Sequence, residues 1–74
     1  MIDPTLMGAV EWTDRMAQVL PDLLPLKIER EKDWKAWAWH AVQSAAVSAR
    51  NPPNPAQFSD WREWAYRFNN SVFT

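Results

Sequence analysis

The sequence predicts an all-α protein of two to three helices: a helical hairpin closed by a proline-rich turn, with an N-terminal helix packed on or beside it. Three observations lead there. Apolar residues recur at three- and four-residue intervals along most of the chain. With one glycine and no regular apolar–polar alternation, little favours hairpins or a sheet. Three prolines in four residues, Pro52, Pro53 and Pro55, interrupt the chain where no helix can continue.

Each element has its own signal. Asp3 followed by Pro4 is a good N-cap and first-turn pair. Leu6, Ala9, Val10, Met16, Ala17 and Leu20 then share one face, opposite Glu11, Asp14, Arg15 and Gln18, so a first helix is expected over about 4–20. Trp12 and Val19 fall off that stripe. Pro21 and Pro25 end the helix, and a connector over 21–28 should keep Leu23 and Leu24 on the core. In LKIEREKDW the alternation of Leu26 and Ile28 with charged residues suits a short extended piece, while Lys27, Glu31 and Lys35 are spaced as helical ion pairs. A second helix is expected over about 29–50. After a turn at 51–54, Asn54, Pro55 and Gln57 make a variant capping box that starts a third helix over about 55–72. Its seam is Phe58, Trp61, Ala65, Phe68 and Val72, widened by Trp64.

Length and composition narrow the function. A 74-residue chain is one domain at most, and folding hides only about 60% of its extended surface. Chains this small usually need a staple. With no cysteine and one histidine there is no disulfide or zinc centre to supply one, and no metal or cofactor is expected. Association or dense aromatic packing remains, and six tryptophans, three phenylalanines and one tyrosine provide the material. A net charge of −1 offers no footprint for a phosphate backbone, so nucleic acid is disfavoured. The longest uncharged run, Ala36 to Ala49, is shorter than the roughly 20 residues of a membrane span. The N-terminus lacks the basic and apolar regions of a secretory signal, so an intracellular protein is expected.

A duplicated motif is the most informative feature. At an offset of 27 residues, Asp33-Trp34-Lys35-Ala36-Trp37-Ala38-Trp39 aligns with Asp60-Trp61-Arg62-Glu63-Trp64-Ala65-Tyr66, giving D-W-[KR]-x-W-A-[WY]. On a helix the two tryptophans are neighbours, the alanine admits a facing helix, and the aspartate sits near the positive helix end. After the motif one copy continues with small residues and the other with Phe68, Val72 and Phe73, so Phe68 is expected over the alanine-rich part of helix two. Trp34, Trp37, Ala38, Trp39, Val42 and Ala46 span roughly 200° of helix two, more than one neighbouring helix covers. Aromatic surface should therefore be left for a partner.

No catalytic constellation emerges. His40 lies beside Asp33 and Ser44 with no nucleophile or second ligand spaced to use it. Asp33 with Asp60, and Glu31 with Glu63, are explained by capping and surface charge rather than as paired catalytic carboxylates. The residues expected to form core or partner interface are Trp12, Trp34, Trp37, Trp39, Phe58, Trp61, Trp64 and Phe68. One reading is a structural or interaction protein that docks into a homo- or hetero-oligomer, with interface hot spots built on aromatic residues. The other is a ligand-binding module that stacks single-stranded nucleic acid or glycan on Trp61 and Trp64 beside Arg62 and Arg67.

The segment PAQFSDWREWAYRFNNSVF resembles short proteins encoded by tailed bacteriophages, in which F-x-x-W-x-x-W-A-x-x-[FL] stands near the C-terminus. Phe58, Trp61, Trp64, Ala65 and Phe68 match that pattern in order, within a stretch of 19 of the 74 residues. The resemblance implies a small virion-associated protein of a head, neck or tail, found in the virion or the host cytoplasm. It carries over no functional residue.

Overall fold

A computed structural model describes residues 2–73. It contains helices α1 (Ala9–Val19), α2 (Trp34–Gln43), α3 (Ala45–Ser48) and α4 (Trp61–Val72), with 3₁₀ turns at Pro21–Leu23, Glu31–Asp33 and Pro55–Gln57. The described residues contain no strand, and the fold is all-α. The proline-rich segment joins α2 and α3 to α4 as the turn of a hairpin, and α1 packs on it through Trp12.

The first helix begins later than expected over 4–20. Asp3 does cap, but it caps a tight turn: its Oδ1 accepts from the Thr5 amide at 2.8 Å and from the Thr5 hydroxyl at 2.7 Å. These two bonds, the hydroxyl's first, hold the Asp3 carboxyl below its ordinary value. Their stabilisation is therefore present above that ordinary value and is lost as pH falls through the depressed one. The turn carries the chain to Gly8, which has no side chain to cap α1. Glu31 does so from 22 residues away, its Oε1 accepting from the Ala9 amide at 3.2 Å. Glu31 thus serves α1 rather than the helical pairs with Lys27 and Lys35 that its spacing suggested. Glu31→Ala should cost about 0.5–2 kcal/mol in denaturant unfolding. Glu31→Gln, which keeps an acceptor and loses only the charge at the helix end, should cost about 0.3–1 kcal/mol.

The buried face of α1 is Ala9, Trp12, Thr13, Met16 and Ala17. It is rotated from the expected stripe, with Trp12 in it and Leu6 and Val10 in solvent. In the connector Leu23 is buried, whereas Leu24 is exposed.

The helix expected over 29–50 is divided. Only a 3₁₀ turn precedes Trp34, and Ser44 breaks the remainder with an extended ψ of 149°. The Ser44 hydroxyl and amide both donate to the Ala41 carbonyl, at 2.9 and 3.1 Å, which ends α2 by local competition. The Ser44 carbonyl then accepts from Val47 and Ser48 and starts α3, in which Val47 is fully buried. Beyond α3, Asn51 adopts the left-handed conformation (φ 54°) that often ends a helix.

The third helix begins at Trp61 rather than Pro55. Asn54 Oδ1 accepts from the Ala56 amide at 3.0 Å, but the 3₁₀ turn it caps ends in an extended Phe58 whose side chain packs against the core. Asp60 is the N-cap of α4, its Oδ1 accepting from the Arg62 amide at 3.1 Å. The result is as compact as a self-sufficient domain. Its radius of gyration is 10.7 Å, against about 11 Å for this length. Its accessible surface is 4573 Å², against about 4,700 Å² for a folded monomer.

Candidate functional site

The tryptophan cluster is where the sequence concentrates its unusual chemistry, and Trp12 is its hub. The Trp12 ring lies 5.6 Å from Trp37, 6.0 Å from Trp61, 6.0 Å from Trp64 and 5.7 Å from Phe68, mostly edge to face. Trp64 extends the cluster to Trp34 at 5.9 Å and stacks obliquely on Phe68 at 4.9 Å. Phe68 therefore packs on rings from α1, α2 and α4, within the core cluster that also holds Ala38 and Ala41 of α2.

Hydrogen bonds fix the rings. Trp64 Nε1 donates to the Pro53 carbonyl at 3.0 Å, tying α4 to the proline-rich turn. The Ile2 carbonyl accepts twice, from Trp12 Nε1 at 3.2 Å and from Asn69 Nδ2 at 2.8 Å. Asn69 is fully buried and was not among the residues picked out by hydrophobic spacing, because a polar side chain is silent in that pattern. The buried indole N–H groups of Trp37 and Trp61 have no partner among the described residues. Trp61→Phe therefore removes volume but no hydrogen bond, whereas Trp64→Phe also strands the Pro53 carbonyl, so Trp64→Phe should be worse by about 1 kcal/mol in chemical denaturation.

Of the eight residues expected in core or interface, Trp12, Trp34, Trp37, Trp61, Trp64 and Phe68 are buried within the one chain, Phe58 is half-buried, and Trp39 alone is exposed, at 43%. The helices bury five of the six tryptophans and leave Trp39 in solvent, so the aromatic surface left uncovered is smaller than the arc around α2 suggests but is present. Helix α1 closes over α2 and α4 through Trp12, which spacing alone had placed off the stripe. The rings of Trp61 and Trp64, which a stacking platform would have to present, both face the core, and the Arg62 guanidinium lies over Trp61 at 4.9 Å.

No family model, curated protein or solved structure matches the chain.

The duplicated motif has the same layout in both copies. Each aspartate stands at the N-cap position of its helix, but only Asp60 makes the capping bond, since the Asp33 carboxylate accepts from Arg30 instead. Each basic residue lies over the first tryptophan, Lys35 on Trp34 at 5.8 Å as Arg62 on Trp61. The second tryptophan and the alanine are buried in both copies, and the third aromatic points out, Trp39 at 43% and Tyr66 at 59% exposure. Three of the four carboxylates weighed as pairs make structural bonds: Asp60 caps α4, Glu31 caps α1, and Asp33 Oδ2 accepts from Arg30 Nε at 3.3 Å. His40 is exposed on the rim of a cleft against residues 25–30. Among the described residues, no group of three or more His, Cys, Asp or Glu could hold a metal ion, and no helix is long and apolar enough to cross a membrane.

Acrylamide quenching should resolve one accessible indole and five shielded ones, and Trp39→Phe should remove the accessible fraction alone. A second readily quenched indole would contradict this pattern of burial.

Proposed function

We propose that the protein is a non-enzymatic structural or interaction module that docks, already folded, into a homo- or hetero-oligomeric assembly. The outward third aromatic of each motif copy carries this reading. Trp39 and Tyr66 occupy equivalent positions on α2 and α4, each four residues after a basic side chain that covers the first tryptophan. A lone exposed aromatic is ordinary. The same outward placement twice, in a chain that buries its other indoles, fits a selected contact surface, since tryptophan, tyrosine and arginine are enriched at interface hot spots. Phe73, just past the end of α4, is a further exposed aromatic in the same part of the chain. The likeness of Phe58, Trp61, Trp64, Ala65 and Phe68 to the motif of short tailed-phage proteins supports a virion head, neck or tail as that assembly, with the protein in the virion or host cytoplasm.

Photo-crosslinking tests the proposal. A benzophenone amino acid at position 39 or 66, in cells that make the protein, should give a protein adduct of discrete mass, and the same probe at exposed Gln18 should not. No discrete adduct at either aromatic position, with a monomer in sedimentation, would reject the reading.

A further inference from the structure

We infer that Lys27, Ile28 and Glu29 form an open β edge through which two copies of the chain pair antiparallel about Ile28, main chain to main chain. This rests on the reading of the protein as an interaction module and names one contact by which it would associate.

Three observations support the inference. The backbone N–H and C=O groups of these three consecutive residues have no partner among the described residues, although the flanking Leu26 amide bonds to Leu23 and the Arg30 carbonyl to Asp33. Most main-chain groups in a folded protein are paired, so the four free ones of Lys27 and Glu29, which an extended backbone points to one side, form a template for another strand. Side chains alternate as on a strand up to Glu29, where the backbone bends: Leu26 is half-buried and Ile28 buried while Lys27 and Glu29 are exposed. Space lies on both flanks: a cleft of about 520 Å³ toward α2 reaches Trp37 and His40, and one of about 480 Å³ toward α1 reaches Val10 and Thr13.

Charge selects the occupant. With Ile28 opposite its own copy, Lys27 of each chain faces Glu29 of the other, so the two-fold axis makes two opposite-charge cross-strand pairs. Neither side chain has an ion pair within the chain among the described residues. When Ile28 sits at the non-hydrogen-bonded position, the main-chain groups of Lys27 and Glu29 point at the partner and make four hydrogen bonds across the axis. A lysine alone on an edge would discourage pairing; glutamate two residues later makes the edge complementary to itself.

Charge reversal of the full chain tests the inference, since both residues are exposed and the fold does not depend on them. By sedimentation from micromolar to millimolar concentration, the parent chain should show a concentration-dependent dimer. Lys27→Glu, which puts a second carboxylate opposite Glu29, and Glu29→Lys, which puts a second ammonium opposite Lys27, should each weaken it roughly tenfold or more. An equimolar mixture of the two variants should restore pairing, and so should the double swap K27E/E29K. In hydrogen exchange, the amides of residues 27 and 29 should gain protection with concentration while that of Ile28 does not. A chain monomeric at millimolar concentration overturns the edge. A dimer indifferent to these charges overturns it too, while leaving the module reading to be judged by crosslinking at positions 39 and 66.

Discussion

Trp12→Ala should unfold the protein or bring it close to unfolding. The ring is 1% exposed and touches four other aromatic rings, one from α2 and three from α4, while its indole N–H holds the Ile2 carbonyl. Truncating such a residue costs about 3–5 kcal/mol through lost transfer energy and the cavity left behind. A 74-residue domain has about 4–11 kcal/mol in all. At about 4–8 °C per kcal/mol, the midpoint should fall by about 12 °C or more, with loss of the near-UV aromatic signal. Trp39→Ala, at an exposed site, should stay within about 0.5 kcal/mol of the parent and serves as the control. Equal effects at the two positions would mean that Trp12 is not the hub.

Trp64→Ala should be comparably severe by a partly separate route. Its ring meets Trp12, Trp34, Trp37 and Phe68, and its indole N–H holds the Pro53 carbonyl. The loss, about 3–5 kcal/mol for the ring, should loosen the proline-rich turn along with α4. Because Trp12 and Trp64 are in contact, the double alanine variant should be less destabilised than the two single losses added, with a coupling of about 0.5–3 kcal/mol. Strict additivity would show that the two rings sit in independent clusters.

Much of this architecture was legible in the sequence. The α4 seam of Trp61, Ala65, Phe68 and Val72 could be read because spacing of three and four needs no tertiary information, and Pro52, Pro53 and Pro55 forbid a helix in any context. What could not be read depends on partners distant in the chain. The cap of α1 lies on Glu31, 22 residues away, so Asp3-Pro4 looked like the start of the helix. The break at Ser44 follows from a serine whose hydroxyl competes for the Ala41 carbonyl, in a run of alanines that would otherwise continue. Trp12 lies at the margin of a stripe drawn through Leu6 and Val10. Only when α2 and α4 both present rings toward α1 does the face rotate to bury the indole and release the two aliphatic side chains. The arc around α2 is covered only in part: Trp34, Trp37 and Ala38 are buried, while Trp39 and Ala46, at its far end, stay exposed.

The double acceptance at the Ile2 carbonyl bears on how the chain is made. Residue 2 meets residue 69, and Trp12 finds three of its four aromatic partners in α4. During translation the N-terminal half therefore lacks three of the four rings that cover Trp12 until α4 is made. Folding should therefore be a single event that requires α4, visible as one transition in which the signals of α1 and α4 change together.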